Sequence, residues 1–250
     1  MNEKKMFHIN ISQSQGAEYA IMPGDPARVE LIAKYLDNAA PLAHNREFTS
    51  FAGMLEGERV IVMSTGIGGP SAAIALEELC MCGLKYAIRI GTCGGMQEFV
   101  VPGDIIIPTA AVRMEGTSKE YAPIEFPAAA DYDVVCALVK AAQNNRMNYH
   151  TGVIQSKDSF YGQHSPQTMP VSYELESKWE AWKRLGVLAS EMEAAALFTV
   201  SAARGIKTGC VLHALWNQER KILGYNDNDV MDTEAAVKTA VDALRLLIRK

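Results

Sequence analysis

Two carboxylates separated by one methionine, Glu191, Met192 and Glu193, lie inside an apolar stretch that runs from residue 186 to 198. Carboxylates rarely enter a hydrophobic core unless a cationic or polar group meets them. The pair also has a purely structural explanation, because Ser190 and Glu193 have the spacing of a capping box that would begin a helix. The chemical alternative is a buried acid that serves a bound ligand.

Arginines recur beside glycines or turn residues, which favours the chemical alternative. Arginine suits a phosphate because its planar fork makes two parallel charge-assisted hydrogen bonds, and three arginines can nearly surround one anion. A solvated side chain is the simpler explanation for Arg28, but not for Arg89 within an apolar strand. We therefore expect a small anion and a carboxylate-bound ligand to share one pocket. The segments are Gly24-Asp25-Pro26-Ala27-Arg28, Asn45-Arg46-Glu47 and Arg89-Ile90-Gly91-Thr92-Cys93-Gly94-Gly95.

Composition indicates a globular protein. With 250 residues and 48% hydrophobic content the chain can bury a substantial core, and we expect a single domain over residues 1–250. The 24 basic residues are outnumbered by 29 acidic ones, and no long basic run is present. A surface that binds duplex nucleic acid would need such a run, so we expect no nucleic-acid partner.

The cysteines and the chain's hydropathy bear on location. The five cysteines form neither a CxxC pair nor a metal-ligand spacing, and an odd number argues against a disulfide framework. We therefore expect a reducing cytoplasm and no metal centre. The first residues contain no apolar export segment, and nowhere do ~18 uncharged apolar residues run together. We expect neither export nor contact with a membrane.

A unit of strand, glycine turn and helix recurs along the chain. Continuous Val/Ile runs that alternate with helices predict an α/β fold with a largely parallel sheet covered on both faces. Periodicity predicts strands at residues 19–22, 59–64, 86–90, 104–108 and 208–215. It predicts helices at residues 27–36, 71–82, 132–145, 173–185, 190–204 and 232–249.

In such sheets ligands bind beyond the carboxyl ends of the strands, where the glycine turns lie. The turn Gly66-Ile67-Gly68-Gly69 is not GxGxxG, and no acidic residue follows at the distance that a dinucleotide site needs. No Gly-Lys-Ser/Thr follows it either, which argues against a P-loop. These glycines could permit close backbone packing or contact a ligand directly.

Five ordered motifs, spread over nearly the whole chain, resemble those of the hexameric nucleoside phosphorylase family, most closely its uridine-cleaving members. The resemblance implies one three-layer α/β/α domain with a mixed, largely parallel central sheet. It also implies phosphorolysis, in which phosphate attacks C1′ of a ribonucleoside and yields free base and ribose 1-phosphate. Phosphate is then a co-substrate, and no cofactor is required. The motifs are Met22-Pro23-Gly24-Asp25-Pro26-Ala27-Arg28, Asn45-Arg46-Glu47-Phe48, Ser64-Thr65-Gly66-Ile67-Gly68-Gly69-Pro70-Ser71, Arg89-Ile90-Gly91-Thr92-Cys93-Gly94 and Glu191-Met192-Glu193.

The resemblance assigns phosphate-binding roles to Gly24, Arg28, Arg46, Arg89 and Thr92. In the family the arginine at the position of Arg46 comes from the neighbouring subunit. The histidine that matches His8, which binds the ribose 5′-hydroxyl, comes from there too. The resemblance therefore implies a homo-oligomer, a hexamer built as a trimer of dimers. Without the resemblance, His8 near the terminus would be interpreted as a surface residue.

Glu193 matches the residue that accepts hydrogen bonds from the ribose 2′- and 3′-hydroxyls, while Met192 packs against the sugar and Glu191 gives further polar support. Cleavage develops positive charge on the ribose, which a carboxylate favours. The residues expected to act in catalysis are Arg89, Thr92 and Glu193. Glu47, Ile67 and Ser71 match positions that hold a monovalent cation, K⁺, at the dimer interface of some relatives.

The loop from residue 156 to 165 resembles the base-binding loop, with Phe160 for stacking and Gln163 for the amide-like edge of a uracil; Cys93 and Gly94 complete the base subsite. Many relatives place an arginine where this chain has Ser165. Lys157 could supply the missing cation for the departing uracil anion, or it could be an ordinary exposed lysine.

Asn217 also bears on the class of base. Purine-cleaving relatives have an aspartate near this position that protonates the purine, and an amide cannot act as that acid. Asn217 could instead be a turn residue. Together with Gln163 it favours a pyrimidine.

Three other functions remain open on these residues. They are a purine nucleoside phosphorylase, a nucleosidase that uses water, and a nucleoside-binding protein without activity. The arginines argue against water as the nucleophile, because neutral water needs a general base and no cationic site.

Overall fold

The computed structural model describes residues 3–250. The strands are β1 (Tyr19–Pro23), β2 (Asp37–Asn45), β3 (Phe48–Leu55), β4 (Glu58–Met63), β5 (Tyr86–Gly95), β6 (Ile105–Met114), β7 (Ala128–Ala129), β8 (Tyr149–Lys157), β9 (Ala189–Glu191) and β10 (Lys207–Asn217). The helices are α1 (Ala27–Ala33), α2 (Gly69–Met81), α3 (Tyr132–Asn144), α4 (Phe160–His164), α5 (Ser172–Arg184), α6 (Ala194–Arg204), α7 (Gln218–Ile222) and α8 (Glu234–Ile248).

The ten strands form one mixed sheet with the order β10-β6-β8-β9-β5-β1-β4-β3-β2, and β7 pairs with β6. The pairs β1–β4, β1–β5, β5–β10, β6–β8 and β8–β9 are parallel. Because β5 also pairs with β10, the strands β5, β10, β6, β8 and β9 close into a circuit. This closure brings the ends of β5, β8, β9 and β10 together.

Helices cover both faces of the sheet, which confirms the expected three-layer α/β/α architecture. Side chains alternate between the faces of a strand. Accordingly, Ile21 of β1 packs in a cluster with α1, α3 and α8, and its neighbour Met22 packs in another with α2 and α6. Each fully buried aliphatic side chain of this kind contributes about 1.5–3 kcal/mol. No helix within residues 3–250 is long and apolar enough to cross a lipid bilayer.

The strands β2, β3, β7, β8 and β9 and the short helices α4 and α7 were not predicted from the sequence. The first two form an antiparallel edge in which many residues are half-exposed, so they lack the continuous apolar run that marks a buried strand. The prediction that a helix begins at Ser190 was wrong. Ser190 lies in β9, which pairs with both β5 and β8, and α6 begins at Ala194.

Candidate active site

A cavity of about 620 Å³ opens at the carboxyl ends of β1, β5, β8, β9 and β10, where the turns before α1, α2 and α6 also meet. Ligand sites of open α/β sheets lie at this edge. The cavity brings together most of the residues that the resemblance singled out. Those that line it are Gly24, Arg28, Glu47, Ile67, Ser71, Arg89, Thr92, Cys93, Gly94, Lys157, Phe160, Glu191, Met192 and Glu193.

Arg89 is held by both carboxylates of the Glu191-Met192-Glu193 segment. Its side chain is 5% exposed; Nε donates to Glu191 Oε2 at 3.2 Å, and Nη2 donates to Glu193 Oε2. Burial alone would lower the pKa of the guanidinium, but the charges of Glu193 and Glu191 reverse this and raise it. Arg89 is therefore a fixed positive charge whose orientation is set by the two acids.

The remaining nitrogen of Arg89, Nη1, is buried and has no hydrogen-bond partner among residues 3–250. It lies near Gly24, where an added Cβ would be 3.9 Å from it. Arg28, half-buried on the same cavity wall, also makes no side-chain hydrogen bond or ion pair within the described chain. Burial lowers the pKa of Arg28, Asp25 opposes this, and the charge of Arg89 lowers it further. The free Nη1 of Arg89 and the guanidinium of Arg28, which has no partner among residues 3–250, favour the binding of an anion at this wall.

Glu193 is nearly fully buried, and its two oxygens have separate partners. Oε1 accepts a hydrogen bond from the Gly68 amide at 2.5 Å, and Oε2 accepts one from Arg89. Gly68 has a φ of +90°, which glycine adopts without strain, so this turn presents its amide to the carboxylate. Burial raises the pKa of Glu193, Arg89 lowers it and Glu191 raises it. The carboxylate lies beside Met192 in the cavity wall.

Glu191 has a supporting role that the sequence analysis described only as further polar support. Its carboxylate accepts hydrogen bonds from the Glu193 amide at 2.9 Å, from the Ala194 amide at 3.0 Å and from Ser156 Oγ at 2.5 Å. Glu191, rather than Ser190, thus satisfies amides at the start of α6. The capping-box explanation is wrong, since Ser190 is bonded instead to the side chains of Lys157 and Gln163.

Lys157 is 5% exposed, so the explanation of an ordinary surface lysine is wrong. Its Nζ donates to Ser190 Oγ at 2.7 Å. Burial lowers the pKa of Lys157 to about 8, although the charges of Glu191 and Glu193 favour the protonated form. A lysine so placed brings an ammonium group to the end of the cavity that lies at the carboxyl end of β8.

Aromatic side chains flank the same end of the cavity. Phe160 is 41% exposed and has ring-centroid distances of 4.3 Å to His164 and 6.4 Å to Trp216. Phe160 was predicted from the sequence, whereas His164 and Trp216 were not. His164 lies in the loop already singled out, whereas Trp216 reaches the cavity only because β10 pairs with β5. An added Cβ at Gly94 would lie 2.8 Å from Trp216 Nε1, so this glycine permits the close packing.

Gln163 and Asn217 do not line this cavity. Gln163 lines a neighbouring cavity of about 420 Å³, and its Oε1 accepts a hydrogen bond from Ser190 Oγ at 2.7 Å. The buried Asn217 side chain donates to Gln97 O and Val100 O, both at 2.8 Å, and accepts from the Arg220 amide at the start of α7. Asn217 is therefore a structural residue, and its interpretation as a determinant of base class is wrong.

His8 and Arg46 do not line the cavity within one chain either. His8 Nδ1 lies 2.7 Å from Glu78 Oε1, and Arg46 is exposed at the turn between β2 and β3, with φ +53°. Asn45 Nδ2 donates to the His8 carbonyl at 2.7 Å, which joins the two segments. His8 and Arg46 thus lie on one surface, beside Glu47 at the cavity's rim.

The residues assigned to a monovalent cation also line the rim. Ser71 Oγ donates to Glu47 Oε1 at 2.8 Å and lies 2.5 Å from Thr65 O. Ile67 is 79% exposed. The site offers carboxylate, hydroxyl and carbonyl oxygens, which are the donors that hard cations prefer.

Comparison with known proteins confirms the resemblance. The chain is 50% identical over 242 residues to uridine phosphorylase of Treponema pallidum, which covers 97% of this chain and 94% of the relative. It is 42% identical over 254 residues to uridine phosphorylase of Escherichia coli, covering 99% and 100%. A guanosine phosphorylase of Halorubrum lacusprofundi is 39% identical over 207 residues, covering 83% and 81%. The family model described as the phosphorylase superfamily matches residues 18–249. The chain therefore belongs to the phosphorylase superfamily.

Proposed function

We propose that the protein catalyses the phosphorolysis of uridine, which yields uracil and ribose 1-phosphate. The observation that carries this proposal concerns Arg89 and Arg28, which face one cavity. The buried Nη1 of Arg89 and the guanidinium of Arg28 have no partner among residues 3–250, while the other nitrogens of Arg89 are held by two carboxylates. An anion and a polyhydroxylated ligand can then lie in contact with the same arginine. The two uridine phosphorylases reported above support uridine as the nucleoside.

Phosphate binds between Arg28, Arg89, Thr92 and the Gly24 turn in this proposal. The guanidinium groups neutralise the dianion and hold one of its oxygens toward C1′ of the ribose, which converts a bimolecular attack into a positioned one. Because Arg89 is already oriented by Glu191 and Glu193, little reorganisation is required when the anion arrives. As the glycosidic bond breaks, the phosphate oxygen forms the new bond to C1′.

Glu193 binds the ribose. A carboxylate accepts hydrogen bonds from the two vicinal hydroxyls, and its negative charge stabilises the positive charge that develops on the sugar ring. Met192 supplies an apolar contact to the ring. The direct contact between Glu193 and Arg89 fixes the position of the ribose relative to the phosphate.

The base lies at the end of the cavity formed by Lys157, Phe160, Cys93 and Gly94. Phe160 stacks on the ring, and the Lys157 ammonium stabilises the negative charge that the departing uracil acquires on its carbonyl oxygens. Lys157 thereby supplies the positive charge that many relatives supply with an arginine at the position of Ser165.

The complete site requires a second copy of the chain in this proposal. His8 and Arg46 share one exposed surface and do not reach the cavity of their own chain, so they are offered to a neighbouring subunit. Since a two-fold interface exchanges the same surface in both directions, each copy completes the other's site. Three such dimers form the hexamer. Glu47, Ile67 and Ser71 hold K⁺ at this interface.

The protein works in the cytoplasm in this proposal. All five cysteines are free, which agrees with this location because disulfides are rare in the reducing cytoplasm.

The function is tested by incubating the purified protein with uridine, thymidine, cytidine, inosine and guanosine, each with and without phosphate, and by measuring free base. We expect uracil from uridine only with phosphate or arsenate. Equal turnover without phosphate would indicate a hydrolase and overturn the proposal. A preference for guanosine would assign the protein to the purine-cleaving members. Equimolar formation of ribose 1-phosphate and uracil completes the test.

A further inference from the structure

Strand β10 contains one extra residue where it reaches the cavity. Ala214 pairs with Cys93 of β5. The next pair is Trp216 with Gly94, so Leu215 has no partner on β5. In a regular strand neighbouring side chains point to opposite faces, whereas a bulge of one residue re-aims a side chain. Leu215 and Trp216 accordingly line the same 620 Å³ cavity.

Backbone contacts fix the position of this bulge and of the indole that follows it. The Leu215 carbonyl accepts a hydrogen bond from the Val230 amide at 2.9 Å. The Trp216 indole packs directly on the backbone of β5, since an added Cβ at Gly94 would lie 2.8 Å from its Nε1. The sheet itself therefore determines where the indole stands in the cavity wall.

The indole stands at a right angle to the ring on which the base is proposed to stack. The ring planes of Phe160 and Trp216 make an angle of 86°, and their centroids lie 6.4 Å apart. A base stacked on Phe160 has its plane parallel to that ring. The plane of Trp216 is then perpendicular to the base, so the indole meets the base at its edge. An obstacle at the edge limits how far the base can extend in its own plane.

We propose that Trp216 is a specificity-determining residue that limits the base subsite to a single six-membered ring and thereby excludes purine nucleosides. This inference rests on the function proposed above and names the residue that sets the class of base. A purine has a second ring that extends the base in its own plane, which is the direction that the indole blocks. Forcing that ring into a packed wall costs free energy, whereas a single ring leaves the indole in contact with the base.

His164 supports the indole from the side of α4. Its ring centroid lies 5.5 Å from that of Trp216 and 4.3 Å from that of Phe160. The three rings form one aromatic cluster, in which Trp216 belongs to the sheet and the other two residues belong to α4. Because a packed side chain loses contacts when it moves, the indole does not yield freely to a larger base.

The test compares Trp216→Ala, which removes the obstacle, with Trp216→Phe, which keeps a smaller ring. The control is Trp182→Ala, because Trp182 is also a partly buried tryptophan and lines neither the 620 Å³ nor the 420 Å³ cavity. Calorimetry in the absence of phosphate measures the dissociation constants of uridine and inosine for each variant. Circular dichroism shows whether each variant is folded.

We expect Trp216→Ala to bind inosine about tenfold more tightly than the unmodified protein and uridine about fivefold more weakly, because it opens space for a second ring and loses an aromatic contact with the first. Trp216→Phe should lie between the two proteins. Trp182→Ala should leave the ratio of the two constants unchanged. An inosine affinity in Trp216→Ala within about twofold of the unmodified protein, or an equal gain in Trp182→Ala, overturns the inference.

A fluorescence measurement tests the contact without any change at Trp216. The chain has three tryptophans, so Trp216 is the one that remains in a Trp179→Phe/Trp182→Phe double variant. We expect its emission to change when uracil binds, since the base lies against the indole. Unchanged emission at a uracil concentration that calorimetry shows to be saturating would contradict the inference.

The two proposals can fail separately. If the unmodified protein releases no uracil with phosphate, the proposed phosphorolysis fails, and the calorimetric comparison still decides the role of Trp216. If the protein cleaves uridine with phosphate but Trp216→Ala gains no affinity for inosine, only the inference about Trp216 fails. Equal binding of uridine and inosine by the unmodified protein would also contradict it.

Discussion

The guanidinium of Arg89 donates a hydrogen bond to the carboxylate of Glu193, and both side chains are almost completely buried in the wall of one cavity. This contact joins the residue proposed to hold phosphate to the residue proposed to hold ribose. A displacement at C1′ needs the attacking oxygen and the sugar in a fixed relation, so in the proposed function this ion pair sets the geometry of the attack as well as the charge of the site. Removing either partner also leaves the other charge buried without compensation.

Arg89→Ala should lower kcat/KM for uridine by about two orders of magnitude or more, because it removes a preorganised positive charge from the site of attack. Arg28→Ala should act mainly on phosphate, with a higher KM for phosphate and a smaller loss of kcat. Initial rates over a range of phosphate and uridine concentrations separate the two effects. If Arg89→Ala kept full activity, the proposed phosphate site would be wrong.

Glu191→Ala should destabilise the fold by about 3–5 kcal/mol, since it breaks a buried pair with Arg89 and removes the acceptor of two amides at the start of α6. Urea unfolding followed by circular dichroism measures the change. The matched control is Glu174→Ala on α5, whose exposed pair with Lys178 contributes at most about 1 kcal/mol. Equal effects of the two substitutions would exclude a structural role for Glu191.

The sequence predicted the parts of the fold in which burial imposes a simple pattern. Strands such as β1 and β5 are covered on both faces and read as continuous apolar runs, so they were recognised with their following turns. The strand β9 has three residues, which is too short for any periodicity, and its Ser190 was therefore assigned to a helix cap. The spacing of Ser190 and Glu193 in the sequence was equally compatible with a strand and with a helix cap.

Some residues of the candidate site could likewise be predicted from the sequence, and others could not. Arg89 and Glu193 could be predicted because charged residues inside apolar segments need partners. The contacts of Trp216 with the cavity and of Ser190 with Gln163 could not, because they depend on how β10 and α4 meet the rest of the sheet. Asn217 was misread for the same reason, since its partners Gln97 and Val100 are far away in sequence.

Sharing of Arg46 between subunits predicts complementation. A mixture of Arg46→Ala and Glu193→Ala chains should regain activity, because a hybrid dimer contains one site with an intact Glu193 and an intact Arg46 from its partner. Random association of equal amounts should give about one quarter of the unmodified activity. The two chains are co-expressed in equal amounts, and the activity per chain is measured without selecting for the hybrid. No gain above the separate variants would mean that each chain completes its own site.

Lys157→Ala should lower kcat for uridine more than it raises KM, since the ammonium stabilises charge that appears only as the uracil departs. Lys157→Arg should recover part of the rate, because a planar fork and a compact ammonium occupy different space. Ser165→Arg in the Lys157→Ala background restores a cation at the position that relatives use and should also raise the rate. Turnover within about twofold of the unmodified protein in Lys157→Ala would limit the lysine to a structural role.

The pH dependence of the reaction gives an independent test of Lys157. Burial lowers the pKa of its ammonium to about 8. Its titratable neighbours are Glu191 of β9, Glu193 just before α6, Cys93 of β5, and His164 of α4, whose own pKa the lysine lowers. The protonated form is the active one, so kcat/KM should be highest below this pKa and fall as the pH rises through about 8. Lys157→Arg should move this fall to higher pH, because arginine stays protonated.

Two controls separate this titration from others that occur nearby. Burial and the charge of Lys157 lower the pKa of His164, so that residue is already neutral where the lysine titrates, and His164→Gln should leave the alkaline limb in place. Phosphate is a dianion throughout the range above pH 8, and a fall there cannot come from its own ionisation. An alkaline limb that persists unchanged in Lys157→Arg would assign the titration to another group and contradict the proposed role of Lys157.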